Sequence, residues 1–266
     1  MKINIAGNQI VQMLKSSEKT LVLLHPRPNV DALMAALALN VVIEALGKKS
    51  DVVCFGSLPS QIGDIQEAEK IKNRLDPTDL VIGFNWAQSQ IEKVSYSVEG
   101  EKFNLIITPS GKRLDPTQVE YSYRGANYNL VVSLGIAGPA ELPTNLFDQS
   151  IFRNLPTVNI DNQTSNTNFG KVNLVDTTSD SLSGLVVEIL KEAGTNVSSQ
   201  VAEYLMKGLR GATENFEIVK NPLTFEQAAF CAKMKTAEQI ARKNNIGKEK
   251  SDEWLAPKTM PSSKMS

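Results

Sequence analysis

The stretch that most constrains the fold is LVLLHPRPNVDALMAALALN, residues 21 to 40. Four apolar residues, Leu21 to Leu24, run into the chain's single histidine, His25. Two prolines follow, then Asn29, Asp31 and a long alanine-rich apolar segment. An unbroken apolar run suits a strand buried on both faces, and the segment after it has the length and composition of a helix packed back on the sheet. This is one limb of an α/β fold with a parallel sheet. Ligands in such sheets bind beyond the carboxyl ends of the strands, where His25 and Asp31 fall.

The totals are those of a globular chain. Of 266 residues, 41% are hydrophobic and 21% charged, enough for a substantial core. A formal net charge of −1 gives no general attraction for nucleic acid or anionic membrane. No apolar run reaches membrane-spanning length, and the opening MKINIAGNQIVQMLK is too mixed for a signal peptide, so a cytoplasmic protein is expected. Cys54 and Cys231 are far apart and form no motif, as expected of buried reduced thiols.

Residues 6 to 16 read as a first helix, Leu21–Leu24 as a strand, Asp31 to Leu46 as a helix stopped by Gly47, and Asp51–Phe55 as a second strand. LPSQIGDI reads as loop and EAEKIKNRL as a short exposed helix. Residues 79 to 123 look like an antiparallel insertion. In it, Ile91–Val98 and Lys102–Thr108 alternate around VEGEK as a β-hairpin. Val94, Tyr96 and Val98 share one face of the first run; Phe103, Leu105 and Ile107 share one face of the second. The α/β plan resumes at Asn129–Leu134, with a helix expected within Leu146 to Leu155 and a strand at Thr157–Ile160. After a polar loop, NQTSNTNFGKVNLVDTTSDS, helices follow at Ser181–Ala193, Val201–Leu209 and Phe225–Lys235. Residues 1–235 thus read as one α/β domain. Residues 236–266 read as a polar helical extension and disordered tail.

As bare residues, His25, Asp31, Asp161 and Asp176 at strand ends could ligate a divalent ion. On spacing alone they are better read as an edge-of-core histidine and aspartates capping helices or turns.

A resemblance bears on that choice. HPRPNVDALMAALALNVVIEALGKK resembles the first motif of the DHH phosphoesterase family, a histidine followed by Pro-Asp-x-Asp and an Ala-Leu helix. VNIDNQTSNTNFGKVNLVDTTSDSLSGLVVEIL resembles the third, Asn-Ile-Asp-His-His followed by Asn-x-x-Phe-Gly. AEYLMKGLRGATENF is similar to the fourth, and NLVVSLGIAGPAEL stands where the second ends its strand in aspartate. The segments keep the family's order across residues 5 to 235, and the hairpin insertion resembles that of degenerate bacterial relatives. The resemblance implies a parallel-sheet phosphoesterase domain with helices on both faces. In the family, two manganese or magnesium ions hydrolyse phosphate esters, held by carboxylates and imidazoles.

Carried over residue by residue, His25, Asp31 and Asp161 persist as metal ligands, weak or unoccupied. Acidic positions are replaced by Asn29, Gly135 (the metal-bridging aspartate) and Ala212, and the two histidines by Asn162 and Gln163, so the catalytic set is not intact. No acid lies within three residues of Gly135, and near Ala212 only Glu214 could substitute. The remaining ligands bring at most two negative charges against four positive on a metal pair. No cofactor is expected, or at most one weakly held manganese or magnesium ion. The family's C-terminal Gly-Gly-His domain is also expected to be missing.

The reading is therefore a catalytically degenerate phosphoesterase-like protein, non-enzymatic, binding a nucleotide or phosphate ligand or serving in assembly with a protein partner or as a homodimer. Residues 162 to 166 offer neutral hydrogen-bonding groups to a ligand, and Tyr96, Tyr121, Tyr123 and Tyr128 offer interface side chains. The alternative is a residual metal-dependent phosphoesterase acting on a small nucleotide or oligonucleotide. Against it, Ser133 and Thr164 have no histidine to activate them. Nucleic-acid binding through the basic stretch 233 to 250 is not expected, because that stretch has no aromatic platform.

Overall fold

The computed structural model describes residues 2–60, 66–75, 79–84, 90–124, 127–192, 194 and 197–234. The expected tail over 236–266, with its basic residues, lies outside them. The described residues up to Arg74 and from Tyr128 onward form one compact unit, and those between form a second.

The first unit is α/β, with a five-stranded parallel sheet flanked by helices. Its elements are α1 (Lys2–Ser16), β1 (Lys19–Leu24), α2 (Val30–Ala45) and β2 (Lys49–Cys54). Its sequence resumes with the strand Leu130–Leu134, numbered β7 because four strands of the second unit intervene. Then come α3 (Ile151–Asn154), β8 (Thr157–Asp161), β9 (Val172–Val175), α4 (Leu182–Glu192), α5 (Ser199–Ala212) and a helix, α6, over 223–234. The strand order is β2-β1-β7-β8-β9.

That order sets the mouth of the sheet. From β1 the chain crosses through α2 to a strand on one side; from β7 it crosses through α3 to a strand on the other. Right-handed crossovers running in opposite directions place their helices on opposite faces and open a crevice between β1 and β7. His25 follows β1 and Gly135 follows β7, so both stand at this switch point.

One face carries the main core. In-register residues Val22, Val52, Val132 and Val158, then Leu24, Cys54, Leu134 and Ile160, pack with α1, α2, α4 and α5. Helix α2 is apolar all round, and eleven of its residues are buried against strands and helices alike. Its C-terminus closes as a Schellman turn: Gly47 N–H donates to Glu44 O and Lys48 N–H to Ile43 O, with Gly47 at φ +74. On the opposite face a file of aromatic rings runs Phe55–Phe147–Phe152–Phe169, with centroids 5.1 to 5.4 Å apart.

Three local readings need correction. The helix expected within Leu146 to Leu155 is only the four-residue α3, because Pro143 and Pro156 crowd the segment. EAEKIKNRL holds a 3-10 turn, Gln66–Lys70, followed by a parallel bridge of Lys72 to Val53. The polar loop after Asp161 contains edge strand β9, whose four residues VNLV are too few to signal themselves.

In the second unit, β3 (Asp79–Gly83) pairs antiparallel with β6 (Glu120–Arg124), and β4 (Ile91–Glu99) with β5 (Lys102–Pro109). The second pair is the expected hairpin. Its two-residue turn is opened by Gly100 at φ +62.

Away from the mouth, Asp51 ties β1, β2 and residue 72 together. It accepts from Lys19 Nζ at 2.9 Å, Lys72 Nζ at 3.1 Å and Tyr128 Oη at 2.8 Å. Burial works to raise its pKa, but the hydrogen bonds from Lys19, Tyr128 and Lys72 together outweigh it and hold the carboxyl below 3.8. Its stabilisation is therefore present at neutral pH and lost as pH falls through that lowered value. Asp51→Ala is expected to cost about 1–3 kcal/mol in urea unfolding at pH 7 and much less in acid.

Candidate functional site

The site is built where β1, β7 and β8 end. The His25 ring leaves β1 and folds back on its own turn: Nδ1 lies 3.0 Å from Arg27 N and 3.2 Å from Arg27 O. Nε2 stands 3.9 Å from Glu141 Oε2. Glu141 ends the 3-10 turn Pro139–Glu141, and the same oxygen accepts from Ala137 N–H at 2.8 Å. Sequence reasoning missed this carboxylate because it sought a replacement within three residues of Gly135. The available signal was GPAE, in which a proline-started turn brings the acid back toward the strand end. Asn29 caps α2, its Oδ1 accepting from Ala32 N–H at 2.8 Å.

Asp31 lies in the first turn of α2 and is buried. Its carboxylate meets the N-terminus of α4: Leu182 N–H donates to Oδ2 at 2.6 Å and Ser183 N–H to Oδ1 at 2.9 Å. The positive end of the α4 dipole favours an anion there. Helix α5 closes over the pair at Gly208, where a Cβ would overlap Ser183 Oγ and stand 3.0 Å from Asp31 Oδ1. Burial raises the carboxyl pKa from 3.8 to about 6, against the smaller opposing pull of the Ser183 and Leu182 hydrogen bonds.

Asp161 ends β8 fully buried and is wrapped by amides. Oδ1 accepts from Asn162 N–H at 2.8 Å and from Gln163 N–H at 3.3 Å; Oδ2 accepts from Asn166 Nδ2 at 2.6 Å. The side chains of Asn162 and Gln163 turn to the backbone. Asn162 Nδ2 donates to Ser179 O at 3.1 Å, and Gln163 Nε2 to Gly135 O at 3.2 Å. Asn166 also bonds Asn159, which in turn bonds Asn173 on β9. The stretch 162–166, expected to offer groups to a ligand, spends Asn162, Gln163 and Asn166 on holding its own loop.

Gly135 follows β7 at φ +63, and a Cβ there would stand 3.0 Å from Leu182 Cδ1. Ala212 ends α5, and Glu214, Asn215 and Phe216 after it are all left-handed, at φ 49, 58 and 72. Glu214 is exposed in that turn. Asp176 accepts from Thr178 N–H and Oγ1 at 2.9 and 2.7 Å, the turn-forming role open to it from the start. Ser133 Oγ is buried without a hydrogen-bond partner and shares a row with Leu23 and Asn159. Among the described residues, no three histidine, cysteine or acidic side chains group closely enough to hold a metal ion. Also among them, no helix is long and apolar enough to cross a membrane.

No protein-family model matches the chain. No curated protein matches it. Among solved structures it is similar to an exopolyphosphatase-related protein from Bacteroides fragilis, with a TM-score of 0.60 and 13% identity. The match covers 90% of this chain but only 58% of that one. At this identity the likeness shows the fold alone.

The burial of Asp31 has a pH signature. Between pH 4 and 6 the folded chain keeps a proton that the unfolded chain has released, so rising pH favours unfolding through this group. The span from 3.8 to about 6 corresponds to about 3 kcal/mol. The stability difference between the native chain and Asp31→Asn is expected to fall by about that much from pH 4 to 7, measured by denaturant unfolding. A difference that stays flat with pH contradicts the burial argument.

Proposed function

We propose that this chain is a phosphoesterase-fold protein that no longer performs two-metal hydrolysis and acts as a non-enzymatic binding or assembly module. The observation that carries the reading is Gly135. The position matched to the family's metal-bridging aspartate has no side chain, a left-handed backbone, and Leu182 pressed against the space a Cβ would take. The DHH family itself enters only through the sequence motifs; the fold of the exopolyphosphatase-related neighbour is compatible with it.

The retained acids support the same reading. Two divalent ions need carboxylate oxygens facing one another across the mouth. Asp31 spends both oxygens on backbone N–H groups of α4, and Asp161 spends both on amides of its own loop. The residues present do not fit a close metal pair. The loss is built into packing as well as into charge, so restoring a single acid does not restore the site.

One observation favours the second reading, a residual hydrolase with a single weakly held ion. Glu141 beside His25 is a carboxylate that the family pattern does not supply. Against it, Glu141 already accepts from Ala137 N–H, and no third ligand joins them among the described residues.

Calorimetric titration with manganese, alongside hydrolysis of a generic phosphodiester and a short polyphosphate, separates the readings. The expected result is no two-ion binding and no turnover above buffer. Manganese-dependent turnover abolished by His25→Ala would establish the second reading. Gly135→Asp is expected to recover no activity and to lower stability by about 1–3 kcal/mol, from left-handed strain and contact with Leu182.

A further inference from the structure

The β4–β5 hairpin has one apolar face, and that face is largely exposed. Three cross-strand pairs, Val94–Ile107, Tyr96–Leu105 and Val98–Phe103, put six apolar side chains on a single face. Tyr96 is 70% and Phe103 64% exposed, and their rings stack with centroids 5.5 Å apart. The other face carries Ser95 opposite Ile106 and Ser97 opposite Asn104. Ser95, Ser97 and Asn104 are half-buried, while Lys93, Ile106 and Thr108 on the same face are exposed. The apolar face is thus left uncovered, where a two-faced sheet usually packs it away.

From this uncovered apolar face we infer that Val94, Tyr96, Val98, Phe103, Leu105 and Ile107 form the docking surface for a second copy of this chain. The area is sufficient. The face presents roughly 500 Å² of apolar surface, near the top of what monomers expose in one patch. Two such faces bury on the order of 1,000 Å², the lower bound for a specific interface.

The chemistry selects the occupant. None of the six side chains is charged, so an acidic or basic partner gains nothing there, and the matching surface is another apolar sheet face. A second copy brings that face in equal amount and can dock it about a two-fold axis, sheet on sheet. The inference does not depend on how the mouth of the sheet is read, since an active or inactive enzyme could dimerise this way.

The test is the mass of the full chain by light scattering and sedimentation velocity, from about 1 to about 100 µM. The expected mass is twice 29.1 kDa at the upper concentrations. Tyr96→Glu with Phe103→Glu is expected to weaken association at least about a hundredfold, while Ser97→Glu on the polar face leaves it intact. Leu105→Cys, in the central pair, is expected to form a disulfide-linked dimer under mild oxidation, and Ser97→Cys is not; this arm decides the matter should the double glutamate variant misfold. A native chain that stays monomeric overturns the inference. So does a dimer indifferent to the double substitution, or a Leu105→Cys chain that cross-links no faster than Ser97→Cys.

Discussion

Asp31 is where α2, α4 and α5 meet. A carboxylate carried on α2 accepts the first N–H groups of α4, and α5 approaches closely enough only because Gly208 has no side chain. Such an acid costs free energy to bury, and its raised pKa measures that cost. Two charge-assisted hydrogen bonds, worth about 1.5–3 kcal/mol each, and the α4 dipole offset it. The contact spans 151 positions of sequence, so it fixes how distant parts of the chain come together. It also sets Leu182, the first residue of α4, against Gly135 at the mouth.

The mouth follows from that placement. The fold still brings the ends of β1, β7 and β8 together, as a doubly wound sheet must. The polar groups at the mouth bond mainly to the chain itself. At β8, Asp161, Asn166, Asn159 and Asn173 form a continuous chain of side-chain hydrogen bonds. A satisfied network of this kind rigidifies a loop and leaves little capacity for a ligand. At β1, the His25 imidazole faces its own turn and Glu141.

Much of the fold was legible because it rests on local pattern. Leu21–Leu24 and the alanine-rich helix declared a parallel sheet, and the alternation in 91–108 declared a hairpin whose two apolar sets do share one face. The short elements were not legible. Strand β9 has four residues, and α3 sits between prolines. At the site, the absence of an acid or imidazole at Gly135, Asn162 and Gln163 could be read directly. The use of Asp31 and Asp161 could not. Whether Asp31 faces a metal or a helix terminus depends on α4, and no local signal reports a contact so distant in sequence. Glu141 was missed for the same reason on a smaller scale, since its return to His25 depends on a turn.

The central claim is that the retained acids at the mouth are committed to N–H donors of the chain. Amide NMR under a manganese titration tests it most directly, because the paramagnetic ion broadens only signals close to where it binds. The account predicts that the amides of Leu182, Ser183, Asn162 and Gln163 stay sharp, with the first two slow to exchange with solvent. Selective broadening of all four at low manganese concentration would place an ion between Asp31 and Asp161 and contradict it.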